Sequence, residues 1–160
     1  MAIKIGDHVP NGSFTVMTAD GPKPKTTDEL FKGKKVVLFA VPGAFTPTCH
    51  KNHLPGFVKN AAAIKAKGVD TIAVTGVNDV FVMDAWKRAS GGDAIEFLAD
   101  GSANWAKAMG LSTDLTERGL GMRSQRYAMV VDDGLVKTLN IEDAPGKAEI
   151  SSADNLLKSL

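Results

Sequence analysis

The sequence has very little cysteine: Cys49 is the only one among 160 residues. A single cysteine excludes an intramolecular disulfide, a Cys-x-x-Cys redox pair and a cysteine-rich zinc site. Redox chemistry at sulfur would therefore depend on this one thiol. Free thiols are typical of reducing compartments, and the amino-terminal residues lack the apolar core of a secretory signal. We therefore expect a cytoplasmic protein.

The sequence also lacks an excess of charge and any long hydrophobic run. It has 19 Lys and Arg residues against 18 Asp and Glu residues, a net charge of +1. This near balance argues against a nucleic-acid partner, since such proteins carry a basic surface. No uncharged apolar stretch reaches the roughly 18 residues of a membrane-spanning helix, so we expect no membrane association. Because domains average about 150 residues, we expect residues 1–160 to form a single domain.

What is present is an alternation of strand and helix patterns. Lys35–Val41 is a continuous apolar run, which predicts a strand buried on both faces of a sheet. A helix should follow with Pro47 or Thr48 in its first turn, a kink at Pro55 and an end at Gly68. The next predicted elements are a strand at 71–74, a helix at 78–89, a strand at 95–98 and a helix to 109 capped by Ser102.

The two ends of the chain carry turn signals. Residues 18–25 contain Gly21, Pro22 and Pro24, which predict turns. Near the other end, Asp-Asp-Gly at 132–134 lies between two apolar runs and predicts a β-hairpin. Residues 151–160 predict a final helix with Ser151 in its capping box. The fold class is therefore α/β, a central mixed sheet with helices on both faces.

The segment 42–49 is the strongest candidate for a chemical site. It follows a buried strand and opens a helix, which is where ligands bind in open α/β sheets. Cys49 falls in the first helical turn, where free backbone N–H groups and the positive end of the helix dipole favour a thiolate. Thr46 precedes it by three residues, and Pro42 would form a wall of the site that limits the access of water. A second interpretation stays open, because free cysteines are often simply small buried hydrophobic residues.

These residues resemble the active-site stretch of peroxiredoxins, specifically the peroxiredoxin-5 (type II, atypical) subfamily. The similarity is carried by residues 41–49, with Pro-x-x-x-Thr-x-x-Cys, and by 53–57, 77–83, 85–86 and 126–134. It covers nearly the whole chain in the family's order. It implies a thioredoxin-like fold, thiol peroxidase activity and a homodimer.

The resemblance also implies the catalytic residues. Pro42, Thr46 and Cys49 match the first motif, and Arg126 matches the family's distant catalytic arginine. Arg123 is a second choice for that arginine. In peroxide reduction a thiolate attacks one oxygen while the other leaves, and charge develops on the leaving oxygen. Donors aimed at that oxygen lower the barrier; the expected ones are the Thr46 hydroxyl, the Cys49 backbone N–H and the Arg126 guanidinium.

The sequence departs from part of the subfamily in having no second cysteine. Some members carry one near the carboxyl end, where Ile150 is the nearest match. A Cys49 sulfenic acid must then be reduced by an external thiol, either glutathione with glutaredoxin or thioredoxin. A general thiol–disulfide reductase and a non-enzymatic peroxide sensor remain alternative functions.

Two histidines near Cys49 leave further possibilities open. His53 lies four residues on, so it would face Cys49 on a regular helix. It would orient Arg126 or the thiolate, or it would have a structural role only. His50, His53 and Cys49 supply three ligands, whereas a closed structural zinc site needs four. We therefore expect neither a metal nor a cofactor.

Overall fold

The structure is a computed structural model that describes residues 2–160. Its strands within that range are β1 (Ser13–Thr18), β2 (Gly21–Thr26), β3 (Lys35–Val41), β4 (Thr71–Gly76), β5 (Glu96–Ala99), β6 (Ser112–Leu115), β7 (Gly121–Ser124), β8 (Tyr127–Asp132) and β9 (Leu135–Ile141). Its helices are α1 (Thr27–Phe31), α2 (Leu54–Ala66), α3 (Val80–Ser90), α4 (Asn104–Ala108) and α5 (Ala153–Leu157). A π-helical turn covers Cys49–His53 and a 3-10 turn covers Thr116–Arg118.

Seven of the strands form a mixed sheet in the order β2-β1-β5-β4-β3-β8-β9. The central strands β5, β4 and β3 are parallel, and the outer pairings on both sides are antiparallel. The strands β6 and β7 form a separate antiparallel hairpin. The α/β class with a mixed sheet, predicted from the sequence, is confirmed.

The continuous apolar run of β3 is explained by its place in the middle of the sheet. It pairs with β4 on one side and β8 on the other, and residues 36–41 are buried. Both faces of the sheet are covered by helices: α2, α3 and α5 pack on one face, and α1 and α4 pack on the other. A strand that is covered on both faces has no solvent-exposed face, so its apolar residues do not alternate with polar ones. None of the helices within residues 2–160 is long and apolar enough to cross a membrane.

The amino-terminal turns predicted for residues 18–25 are mostly a strand. Thr18 pairs with Gly21 across a tight turn, and β2 runs back along β1 to Thr26. Pro22 and Pro24 are tolerated because β2 is the edge of the sheet, where a missing N–H leaves no neighbouring strand unpaired. The prolines therefore mark an edge strand, and the prediction of turns was wrong there.

Two of the predicted helix caps are also wrong. Ala103, not Ser102, occupies the cap position of α4, and the Asp100 carboxylate accepts hydrogen bonds from the backbone N–H groups of Trp105 and Ala106 at 3.0 Å each. At α5 the cap is Ser152, whose hydroxyl accepts from the Asn155 N–H. Ser151 instead donates its hydroxyl to Glu142. By contrast, the hairpin between β8 and β9 is confirmed.

Candidate active site

Cys49 lies at the first residue of the π-helical turn that leads into α2. The helical segment begins two residues earlier, at residue 47, as the sequence predicts. In the π-helical turn the Leu54 N–H donates to the Cys49 carbonyl, one residue further back than in an α-helix. Pro55 follows, has no N–H to donate, and would clash with the preceding turn of a regular α-helix. The Cys49 side chain at the start of this irregular helix is completely buried.

The loop before Cys49 is fixed by hydrogen bonds to its backbone. The Thr46 hydroxyl donates to the Gly43 carbonyl at 2.6 Å, and the Ala44 N–H donates to the side-chain oxygen of Asn78 at 2.8 Å. A Cβ at Gly43 would lie 2.7 Å from Arg123 Nη1, so any side chain there would displace that arginine. These contacts hold the Thr46 oxygen with its lone pairs free to accept a further hydrogen bond.

Arg126 reaches the Cys49 sulfur from a distant part of the sequence. Ala40 pairs with Tyr127 between β3 and β8, so Arg126 comes level with the end of β3 and with the loop that follows it. Its Nη2 group donates to Cys49 Sγ at 2.9 Å, and only 2% of the residue is exposed. A buried positive charge therefore lies in direct contact with the sulfur.

His53 holds the other edge of the same guanidinium. Arg126 Nη1 lies 3.0 Å from His53 Nδ1, and His53 Nε2 lies 2.9 Å from the Ser151 carbonyl oxygen. A carbonyl only accepts, so Nε2 must carry the hydrogen and Nδ1 accepts from the arginine. Burial and, second, the charge of Arg126 lower the pKa of His53 to about 3. The ring is therefore neutral at physiological pH.

The loop after β9 supplies the remaining partners of Arg126 and His53. The Pro145 carbonyl accepts from Arg126 Nε at 3.3 Å and from Nη2 at 2.9 Å. Glu142, which is 7% exposed, folds this loop by accepting three hydrogen bonds. They come from the Glu149 N–H at 2.8 Å, the Ser151 N–H at 2.7 Å and the Ser151 hydroxyl at 2.6 Å. One buried carboxylate thus places two carbonyl groups at the site.

A cavity of about 330 Å³ opens beside this arrangement. Three of the residues predicted from sequence, Pro42, Thr46 and Arg126, line it, and Cys49 lies behind them in contact with Arg126. The opposite wall comes from Leu115 and Leu120 of the β6–β7 hairpin. A cation and a hydrogen-bond acceptor therefore line one cavity, and the cation contacts the sulfur behind it, an arrangement suited to breaking a bond that leaves an oxygen anion.

Comparison with known proteins identifies the family. The Redoxin family model matches residues 4–157. The chain is 45% identical to peroxiredoxin-2B of Arabidopsis thaliana over 160 residues, covering 99% of this chain and 98% of the relative. It is 50% identical over 164 residues to chloroplastic peroxiredoxin-2E-2 of Oryza sativa subsp. japonica, covering 99% of this chain and 72% of the relative. The chain belongs to the peroxiredoxin family.

A solved structure supports the same assignment for this peroxiredoxin. Reduced Prx3 from Vibrio vulnificus in complex with H2O2 superposes with a TM-score of 0.94 at 51% identity, and the match covers 98% of each chain. The thioredoxin-like fold expected from the resemblance is therefore confirmed. So is the expectation that the chain is a thiol-dependent peroxidase.

The structure separates the two arginines that the sequence left in competition. Arg126 contacts the Cys49 sulfur, whereas Arg123 Nη1 donates to the Pro42 carbonyl at 3.2 Å and Arg123 Nε donates to the Leu120 carbonyl at 2.8 Å. Arg123 therefore fastens the loop to the β6–β7 hairpin and makes no hydrogen bond to the sulfur.

Several residues of this peroxiredoxin site were missed by the sequence analysis. They are Asn78, Glu142, Pro145 and Ser151, together with the β6–β7 hairpin. Glu142 and Pro145 lie in a loop that lacks a helix or strand pattern, and Ser151 was predicted only as a helix cap. Pro145 and Ser151 act through their backbone carbonyl groups. Only Asn78 gave a signal, because it falls within a stretch that resembles the family.

The neutral state of His53 predicts a pH dependence of stability. The unfolded chain binds a proton at the ordinary histidine pKa of 6.5, while the folded chain binds it only near 3. The stability that rests on neutral His53 is therefore fully present above pH 6.5 and is lost as the pH falls towards 3. The loss is at most about 1.4 kcal/mol for each pH unit.

His53→Gln removes this titration and keeps a side-chain donor and acceptor. Urea unfolding between pH 7 and pH 4 should show a shallower loss of stability in the variant than in the wild type. Equal slopes for the two proteins would mean that His53 is not held neutral.

Thr46 offers a separate test, because its hydroxyl donates to the Gly43 carbonyl and its oxygen keeps lone pairs for a further hydrogen bond. Thr46→Val keeps the volume and removes the hydroxyl, so the rate of Cys49 oxidation by peroxide should fall about 10- to 100-fold, as for a lost hydrogen bond of 1–3 kcal/mol. Thr46→Ser keeps the hydroxyl and should retain most of the rate. Stopped-flow kinetics measures both, and equal rates for Val and Ser would leave Thr46 as a turn residue only.

Proposed function

We propose that this peroxiredoxin reduces hydrogen peroxide and organic hydroperoxides through the Cys49 thiolate and is restored by an external thiol. The observation that carries the proposal is the contact of 2.9 Å between Arg126 Nη2 and the fully buried Cys49 Sγ. A cysteine that served only as core filling would not have a buried guanidinium against its sulfur, since burying a charge is costly unless it is paired. Pro42, Thr46, Cys49 and Arg126 are the catalytic residues of this proposal.

The chemical step is a displacement at oxygen. The Cys49 thiolate attacks the terminal oxygen of R–O–O–H, the sulfur–oxygen bond forms and the oxygen–oxygen bond breaks. The products are Cys49 sulfenic acid and RO⁻, which takes a proton from solvent and leaves as an alcohol, or as water when R is hydrogen. Arg126 stabilises first the thiolate and then the charge on the leaving oxygen.

The other two residues prepare the peroxide for attack. The Thr46 hydroxyl gives its hydrogen to the Gly43 carbonyl, so it serves as an acceptor for the hydroperoxide O–H. This differs from the expectation that Thr46 donates to the leaving oxygen. Pro42 forms part of the apolar wall that limits water at the sulfur.

Reduction of the sulfenic acid must come from outside the chain, because Cys49 is the only cysteine. The thiol is glutathione with glutaredoxin, or thioredoxin. A disulfide between Cys49 residues of two copies is disfavoured by the complete burial of each sulfur. Such a reductant supply suits a reducing compartment such as the cytoplasm.

We further propose that the enzyme is a homodimer. Phe45, in the loop beside Cys49, is 47% exposed and offers an apolar side chain for a second copy to cover. Sedimentation velocity that finds only a monomer at micromolar concentration would contradict the dimer.

Intact-mass spectrometry tests the proposed chemistry, because Cys49 is the only residue that can form a disulfide with glutathione or a sulfinic acid. One equivalent of peroxide with glutathione should give a single glutathione adduct. Excess peroxide without thiol should instead add two oxygens, the sulfinic acid. Cys49→Ser is the control: it should give neither product, and any oxygen that it still gains comes from methionine.

Steady-state assays complete the test. Wild-type protein should turn over peroxide with glutathione and glutaredoxin or with thioredoxin and its reductase, and Cys49→Ser should not. Turnover that persists in Cys49→Ser would overturn the proposal. A disulfide-linked dimer as the main oxidised product would overturn the external-thiol route.

A further inference from the structure

The cavity beside Cys49 is much larger than hydrogen peroxide. Its volume of about 330 Å³ compares with about 30 Å³ for one water in the liquid. Its walls include the apolar side chains of Pro47, Leu115, Leu120 and Pro145. The space therefore fits an organic group with several carbon atoms.

One cation on this cavity has no role in the chemical step. Two ionisable side chains line it, Arg126 and Arg118, and no acidic side chain of residues 2–160 does so. Arg118 closes the 3-10 turn of the β6–β7 hairpin and is exposed. In the described part of the chain it forms no ion pair within 4.0 Å, unlike Arg88, which pairs with Asp84 at 3.2 Å. Its charge is thus available to a ligand.

We propose that Arg118 determines substrate specificity by binding the carboxylate of a hydroperoxycarboxylic acid. The inference rests on the proposed function and names the substrate class of the same site. The hydroperoxide group would lie at Cys49 and Arg126, the carbon chain along Leu115 and Leu120, and the carboxylate at Arg118. A guanidinium fork pairs with a carboxylate through two parallel hydrogen bonds.

The arrangement selects this class over two others. Hydrogen peroxide and small neutral hydroperoxides carry no anionic group for Arg118 to bind. A ligand with several negative charges would need more than one cation at the rim, and Arg118 is the only ionisable lining residue there besides the one at the sulfur. The apolar wall followed by one cation matches a chain with a single terminal charge.

The first experiment compares a medium-chain hydroperoxycarboxylic acid with its methyl ester. The two differ in one negative charge and share the reacting group. For the wild type kcat/KM should be higher for the acid, and Arg118→Gln should lower the acid-to-ester ratio about three- to fivefold, as expected for a partly exposed ion pair. Arg118→Lys should retain most of the ratio. Arg88→Gln, which removes an exposed arginine outside the cavity, should leave the ratio unchanged.

The rate with hydrogen peroxide separates specificity from damage to the site. It should be the same in Arg118→Gln and the wild type. An unchanged acid-to-ester ratio in Arg118→Gln would overturn the proposal, and so would a loss in which the hydrogen peroxide rate falls by the same factor.

A binding experiment tests the same inference without turnover. Octanoate should bind to the Cys49→Ser protein in isothermal titration calorimetry, and binding should weaken three- to fivefold when Arg118→Gln is added. Octanol should bind both proteins equally. Equal octanoate affinity with and without Arg118→Gln would contradict the carboxylate site. Failure of the proposed peroxidase chemistry would leave this binding result intact.

Discussion

The buried contact between Arg126 and Cys49 is the interaction on which the rest of the site depends. A guanidinium cannot lose its charge in a protein, so its burial is costly unless its N–H groups find acceptors. Here they find the Cys49 sulfur, the His53 ring and the Pro145 carbonyl. Each acceptor must be held in place by some other part of the fold, and that requirement explains features far from the sulfur.

His53 meets this requirement by staying neutral. A protonated ring would place a second positive charge against Arg126 and would remove the acceptor at Nδ1. Burial, and then the charge of Arg126, lower the pKa of His53 and prevent this. The Ser151 carbonyl fixes the ring orientation, and Glu142 fixes Ser151. A buried carboxylate therefore acts on the sulfur through three intervening residues.

The parts of this structure that follow from the sequence are those governed by regular patterns. The apolar run of β3 predicts its place inside the sheet, and Asp133 with Gly134 predicts the β8–β9 hairpin, because both positions have the left-handed φ that this turn needs. The prolines of β2 were misread because their meaning depends on whether a strand lies at the sheet edge. Edge position is a property of the assembled sheet.

The site also contains residues that the sequence predicts and residues that it does not. The motif from Pro42 to Cys49 is local, so the sequence places its residues together, and the family resemblance adds Arg126. The catalytic roles of these residues stay predictions until they are measured. The loop after β9 could not have been foreseen, since Pro145 contributes a backbone carbonyl and any residue supplies one. Arg118 was not predicted for a different reason. Its position at the cavity depends on the β6–β7 hairpin, whose short strands show no clear alternation of apolar and polar residues.

The most direct test of this account is the second-order rate constant for oxidation of Cys49 by hydrogen peroxide in Arg126→Met and in the matched variant Arg123→Met. Both remove one guanidinium from the same segment, but only Arg126 contacts the sulfur. Stopped-flow measurement should show a loss of about 10²- to 10³-fold for Arg126→Met, as for a lost oxyanion donor, and a smaller loss for Arg123→Met. An unchanged rate in Arg126→Met, or a larger loss in Arg123→Met, would contradict the account.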